Sequence, residues 1–461
     1  MLKPSAIKEL KGIVGPDNLF TSPEELLVYS YDATRQESPP WAVARPASTR
    51  EIAEILVLAN RELFPVVPRG AGTGMSGGSV PVQGGLVLSL ERMNRIVEID
   101  GNDLVAVVEP GVVTGDLQRE VESRGLFYPP DPASHEFCTI GGNVAECAGG
   151  LRAVKYGVTK DYVLGLEVVL PTGEIIRTGA RTVKSVAGYD LTKLIVGSEG
   201  TLGIATSIIL KLLPLPESVM TLSAFFADPD QAAGAAAAVI ARRILPRALE
   251  FVDQGALRAV EAYLQDDLSG GAAAMLLVEV DGTPESCCRE ISRVHEVMTG
   301  AGAMRVARAE TEADRERLWK ARRSISPALY RIKPAKLNED IVVPRSRIPD
   351  ILRAVGRIGR RHGLQIVNFG HAGDGNIHTN VMFDEPDREK ARSAVREILR
   401  ETVRLGGSIS GEHGIGLAKA AYLPLELGPG SLALMKKIKQ TFDPNNVLNP
   451  GKIFPDSTGA A

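Results

Sequence analysis

Arg69-Gly-Ala-Gly-Thr-Gly-Met-Ser-Gly-Gly78 is the stretch on which the reading of this chain turns. Within it, Gly72-Thr-Gly-Met-Ser-Gly77 satisfies G-x-G-x-x-G and follows residues 65–68, which read as a strand. That fingerprint marks a dinucleotide site only when a helix opens at the third glycine, its positive dipole end facing the pyrophosphate. Here the chain runs on through Ser79-Val-Pro81 to Gly84-Gly85, which no helix accommodates. A Rossmann site is therefore excluded. A glycine-dense loop after a strand still offers successive backbone N–H groups that can cradle a phosphate. The blander reading, tight turns alone, suits an isolated match. Five glycines in the nine residues 70–78, with Arg69 beside them, favour the cradle.

Upstream, residues 1–40 read as mostly helical and polar, and 41–45 as a short strand. Ser48-Thr-Arg-Glu51 has capping-box spacing. Ile52, Ile55, Leu56, Ala59 and Leu63 then mark one helix face, so a βαβ unit delivers the chain into the loop. Downstream, strands are expected at 86–90, 96–100 and 104–109, a helix over 114–124, and a hairpin over 162–178 turning at Pro171-Thr-Gly173. Residues 127–156 are rich in glycine, proline and small polar residues, and a loop that long inside a compact domain is usually functional. After residue 215 the composition changes. Strands at 221–227, 248–252, 274–280, 304–307, 364–369 and 377–383 alternate with helices, which predicts an antiparallel sheet with helices on one face.

At 461 residues the chain exceeds one ordinary core, and two or three domains are expected. Hydrophobic content of 44%, charged content of 24% and a net charge of −3 carry no nucleic-acid or membrane footprint. No apolar span suits a membrane helix, and Met1-Leu-Lys-Pro-Ser lacks a signal-peptide core. Cys138, Cys147, Cys287 and Cys288 include no Cys-x-x-Cys, which argues against a disulfide framework or an iron–sulfur cluster in this chain. The expected place is a reducing cytoplasm, peripheral to a membrane only through a partner.

Chemistry concentrates near the end. His371-Ala-Gly-Asp-Gly-Asn-Ile-His378 and Glu412-His413 hold three of the six histidines, in glycine-rich turns rather than on apolar faces. A lone histidine is usually structural. Three together with Glu412 and Asp374 point to a metal site whose imidazole and carboxylate ligands suit Zn²⁺, Mn²⁺ or Fe²⁺ without choosing among them. His135 reads as a hydrogen-bonded structural residue, and Glu146 and Cys147 as packing beneath the glycine-rich loops.

Taken in order, these segments resemble a family. The marks are residues 68–78, Pro130-Asp-Pro-Ala-Ser134, Thr139-Ile-Gly-Gly-Asn143, Lys155-Tyr-Gly-Val158, Gly197-Ser-Glu-Gly-Thr-Leu-Gly-Ile204, the His371 segment and Ser410-Gly-Glu-His-Gly414. The chain resembles the FAD-linked oxidases of the vanillyl-alcohol oxidase and p-cresol methylhydroxylase type. Within them it is similar to the D-2-hydroxy-acid dehydrogenases, including D-lactate dehydrogenases and the D subunit of bacterial glycolate oxidase. The resemblance implies an α+β fold: a bipartite FAD-binding domain over residues 1–215, with two subdomains, and a cap domain over 216–412 in which an antiparallel sheet covered by helices carries the metal site. Residues 413–461 would return to the FAD domain.

By the same resemblance, FAD is bound by Pro68, Arg69, Gly70, Ala71, Gly72, Thr73, Gly74, Met75, Ser76, Gly77 and Gly78, and by Pro130, Asp131, Ser134, Thr139, Ile140, Gly141, Gly142, Asn143 and Ala145. Gly157, Val158, Glu199, Gly200, Gly203, Ile204 and Asn449 complete that set. No histidine stands in the glycine loop, so the flavin is expected to be noncovalent. His371, His378 and Glu412 match the metal ligands, His413 the base and Asn376 a substrate contact. Arg322 matches the arginine that takes the substrate carboxylate, a task suited to a bidentate guanidinium. Lys336 is a second cation carried over for substrate binding, and Ser326 stands where relatives with a dicarboxylate substrate often carry threonine, which leaves the substrate's tail open. Arg323 and Lys333 read as a solvated face.

The implied reaction oxidises a D-2-hydroxy acid, D-lactate or glycolate first and D-2-hydroxyglutarate next, by hydride transfer from the α-carbon to flavin. The implied acceptor is a quinone, an iron–sulfur subunit or an electron-transferring flavoprotein, and a homodimer or a hetero-complex are both open. Two other classes compete: a flavin-free metal-dependent hydrolase and a noncatalytic FAD-binding subunit. The latter would not need the motif at 371–378 or Glu412-His413.

Overall fold

The structure is a computed structural model and describes residues 1–454. The chain divides into two units. One gathers Met1–Gly149, Val158–Leu215 and the chain from Glu412 onward, and the other gathers Gly150–Gly157 and Pro216–Gly411. The eight residues Gly150–Gly157 thus leave the 1–215 segment to count with the second unit.

In the first unit the βαβ reading is realised. Ala42–Ala44 leads through the helix Thr49–Glu62 to Val66–Arg69, and Leu86–Ser89 lies between the two strands, parallel to both. Ser48 Oγ accepts the Glu51 N–H at the helix start, which satisfies one of the donors a helix leaves open at its N-terminus. Ile52, Ile55, Leu56 and Ala59 then bury one face against Ala42, Ala44, Val66 and Leu88. A second sheet is wholly antiparallel, in the order Ile96–Asp100, Val105–Val108, Ile204–Lys211, Val163–Val169, Ile175–Gly179. Its centre, Ile204–Lys211, alternates buried and half-buried residues. The sequence reading passed over it because it follows directly on the glycine-rich segment 197–203.

Two further expectations need correcting. The first forty residues hold only the helices Pro4–Val14 and Pro23–Leu27 as regular helix beyond one short turn, because Pro39-Pro40 and the Tyr31–Glu37 bridge keep the rest extended. Residues 127–156 are not one irregular loop. Thr139 caps a helix over Ile140–Glu146, and a short turn of helix spans Ala153–Tyr156.

The second unit is a seven-stranded antiparallel sheet. Its order is Arg305–Arg308, Ser218–Phe226, Ala274–Gly282, Ala248–Asp253, Gln365–His371, Asn376–Phe383, Ala335–Val342. Helices lie on both faces rather than one. Ile348–His362 packs Gly359 against Ile366, whereas Gln254–Leu264 sets Gly255 on Val367, the next residue and hence the opposite face. On that second face Ala256, Leu257, Val260, Leu318 and Trp319 bury Val252, Phe369 and Met382. Glu250, His371, Asn376, His378 and Asp340 form a polar patch on the same face. Among the described residues no helix is long and apolar enough to cross a membrane.

Candidate active site

Strand register builds the polar face of the second unit. Glu250 stands opposite His371, Phe369 opposite His378, His371 opposite Asn376, and His378 opposite Asp340. Because side chains alternate across a strand, these directly paired residues all point to one side. The His371 and His378 rings meet edge to face with centroids 5.2 Å apart, and the Phe369 ring lies 5.5 Å from that of His378. His371 and His378 are buried, as are Asn376 and Asp340.

Each residue of this face is held by a named partner. His371 Nδ1 lies 2.7 Å from Glu250 Oε1. Arg322 donates through Nε to the other carboxylate oxygen of Glu250 at 2.7 Å, with Nη2 2.6 Å from the same atom, and its guanidinium sits over the Phe369 ring. Burial alone would raise the Glu250 carboxyl, but its interactions with His371 and Arg322 outweigh it and hold the group down to about 2. Asn376 donates its amide to Asp340 Oδ1 at 2.6 Å and to the Ile341 carbonyl at 3.1 Å. Asp340 also accepts the Gly411 N–H at 2.9 Å. Glu412 and His413, the next residues of the chain, count with the first unit.

Lys336 donates to Ser326 Oγ at 2.8 Å and lies over the Tyr330 ring, so these two substrate candidates are brought together. Arg322 is held with His371 through Glu250. Lys333 pairs with Asp384 at 2.5 Å and Arg323 with Glu316, both as side chains of the surface.

Glu250 is the site residue that sequence reasoning missed. A signal was present: Ala248-Leu-Glu-Phe-Val-Asp253 places one carboxylate in the middle of an apolar strand, and such a charge stays buried only if paired.

In the first unit the glycine loop is wrapped around its neighbours. Among the described residues, no backbone N–H from Ala71 to Ser76 is spent on another backbone carbonyl. Gly77 has φ +82°, and a Cβ there would lie 2.9 Å from the Leu417 side chain. Ser76 O accepts the Leu417 and Ala418 N–H groups. Arg69 is buried beneath the loop, donating to the Tyr31 carbonyl at 2.8 Å and to Ser79 Oγ at 3.3 Å. It therefore braces the loop rather than reaching out of it. Gly70 lies against Thr139 and Gly142, which sets the first turn of the Ile140–Glu146 helix beside the loop.

Two further expected cofactor residues, Glu199 and Asn449, are tied to the same loop. Glu199, at φ +53°, accepts the Ile415 N–H at 2.7 Å and the Gly416 N–H at 2.6 Å, one on each carboxylate oxygen. Asn449, at φ +45°, donates to the Gly78 carbonyl at 3.0 Å and the Glu199 carbonyl at 2.8 Å, and accepts from Lys452 at 3.3 Å. Non-glycine residues in this left-handed region persist only where their surroundings fix them. Gly414, at φ +80°, sits against the Glu146 and Glu199 carboxylates, where a Cβ would force Glu146 to shift. His135 lies 3.3 Å from the Pro132 carbonyl through Nδ1 and 3.2 Å from Glu136 through Nε2.

Comparison with known proteins then decides the family. Residues 40–179 match the FAD binding domain, and residues 215–453 match the FAD linked oxidases, C-terminal domain. The chain belongs to the FAD-linked oxidase family. This FAD-linked oxidase is 47% identical over 458 residues to the glycolate oxidase subunit GlcD of Bacillus subtilis, covering 98% of this chain and 97% of that one. It is 38% identical over 453 residues to the D-lactate dehydrogenase of Anaerostipes hadrus, covering 94% and 95%. The p-cresol methylhydroxylase structure superposes with a TM-score of 0.83 over 99% of this chain and 98% of that one, at 20% identity, and so shares the fold. The FAD-linked oxidase is accordingly an oxidoreductase with an FAD-binding unit of the p-cresol methylhydroxylase type and a second unit built on an antiparallel sheet. The unspent loop N–H groups of residues 71–76 fit a pyrophosphate, which needs donors and little bulk.

Proposed function

We propose that this FAD-linked oxidase oxidises a D-2-hydroxy acid, D-lactate or glycolate, to the 2-oxo acid. The observation that carries the reading is the sheet face on which two buried imidazoles, His371 and His378, stand beside the Glu250-bound guanidinium of Arg322. Relatives named as a glycolate oxidase subunit and a D-lactate dehydrogenase support the substrate class. FAD, when bound noncovalently at the glycine loop, supplies the two-electron acceptor. A divalent cation (Zn²⁺, Mn²⁺ or Fe²⁺), when held by His371, His378 and Glu412, lowers the cost of a negative 2-oxygen.

The chain's own groups do the rest. Arg322 keeps N–H groups that have no protein acceptor among the described residues, and these take the substrate carboxylate. His413 removes the hydroxyl proton, acting as general base. Asn376 orients the substrate from the same face. Ser326 and Lys336 meet the substrate's tail. Their pairing supports a second reading, in which the Lys336 ammonium takes the distal carboxylate of D-2-hydroxyglutarate. Electrons leave to a non-NAD acceptor, a quinone, an iron–sulfur subunit or an electron-transferring flavoprotein. That the GlcD relatives are subunits of a glycolate oxidase favours a hetero-complex.

His413→Asn tests the assignment of the base. The variant is expected to keep FAD and metal yet lose at least ~100-fold in the rate of anaerobic flavin reduction. Near-normal bleaching would remove His413 from the mechanism.

A further inference from the structure

Glu250 has no step of its own in the reaction proposed above, yet it is a fully enclosed charge on the sheet face. Its side chain is 0% exposed in the central part of the sheet. Both carboxylate oxygens are used: Oε1 faces His371 Nδ1 at 2.7 Å, and Oε2 takes Arg322 Nε at 2.7 Å and lies 2.6 Å from Nη2. One rigid backbone position therefore sets the direction of an imidazole and of a guanidinium that approach it from different elements. His371 comes from the strand Gln365–His371, and Arg322 from the last turn of the helix Glu312–Arg323.

We infer that Glu250 is a positioning residue that orients His371 as a metal ligand and Arg322 as a carboxylate receptor at the same time. Resting on the proposed function, this deepens it. A carboxylate on Nδ1 places the ring proton there and leaves Nε2 as the ring's electron-pair donor. The same carboxylate occupies the Nε edge of Arg322 and turns the remaining N–H groups of the fork away from itself. Phe369, under the guanidinium and paired in register with His378, closes the arrangement from below. Without Glu250 the imidazole and the guanidinium would lose the one group that both are bonded to. The geometry thus couples metal affinity to substrate recognition through one residue.

A purely structural ion pair would affect stability alone, so the test reads other quantities. The FAD-loaded protein is stripped of metal and titrated with Co²⁺ and Zn²⁺, following the visible Co²⁺ bands, and KM and kcat for D-lactate and glycolate are measured separately. Glu250→Gln is expected to bind Co²⁺ about 10–100-fold more weakly, with shifted bands, and to raise KM while keeping its flavin spectrum. Glu250→Asp, which keeps the charge but shortens the reach, is expected to lose several-fold in both and serves if the Gln variant does not fold. Wild-type Co²⁺ affinity and bands with unchanged KM in a folded variant would overturn the inference. A wild-type protein that takes up neither cation would instead overturn the metal part of the proposed function.

Discussion

Oε2 of Glu146 is shielded from solvent and accepts no hydrogen bond. Burial, with the charges of Glu199 and Asp32 against that of Lys452, raises this carboxyl well above the usual range. A group whose folded value is raised favours the fold in its protonated form. That contribution is complete below the unfolded value and fades as pH climbs toward the folded one. Each bound proton then costs about 1.4 kcal/mol per pH unit over that window. Glu146→Gln removes the titration while keeping the shape. Its stability relative to wild type, measured by urea unfolding between pH 5 and pH 8, is expected to improve by up to that slope as pH rises. A difference that stays flat with pH would mean Glu146 is ionised in the fold. Residues such as Glu146 and Glu250 are hard to read from a sequence because their chemistry depends on which distant groups face them. The histidines of the 371–378 segment were legible because two of them and an asparagine fall on one strand-and-turn.

At the scale of elements, the segment Gly150–Gly157 is tied to the sheet of the second unit through Asp281. Lys155 Nζ meets Asp281 Oδ1 at 2.5 Å, Tyr156 donates to Oδ2 at 2.7 Å, and Arg247 lies 3.2 Å from the same oxygen. Asp281 is fully enclosed. Removing it takes one carboxylate from Lys155 and Arg247, while Arg247 keeps Glu279 at 3.1 Å and Lys155 is a quarter exposed, so the expected loss is about 1–3 kcal/mol. Asp281→Ala is expected to lower the urea midpoint correspondingly and to speed trypsin cleavage at Arg152 and Lys155. Unchanged cleavage would show that the segment is held by other contacts. The sequence showed 155–158 as a motif but not its partner, since Lys155 and Asp281 are far apart in the chain. Periodic elements were legible where one face is apolar, as in Thr49–Glu62. The strand Ile204–Lys211 was missed because a glycine run before it drew the reading to loop chemistry.

For the whole molecule, the α+β class, the FAD-binding fold and the family followed from the order of short motifs, each modest alone. The direction of the polar sheet face did not, because it depends on the register of four strands. The central claim is that a metal-assisted site delivers a D-2-hydroxy acid to FAD. Anaerobic flavin reduction against paired D- and L-2-hydroxy acids and glycolate, before and after chelation, tests it most directly. The account predicts bleaching of the flavin bands by glycolate or D-lactate but not L-lactate, lost on chelation and restored by Zn²⁺ or Mn²⁺. Full bleaching that survives complete metal removal, or a flavin that no 2-hydroxy acid reduces, would contradict it.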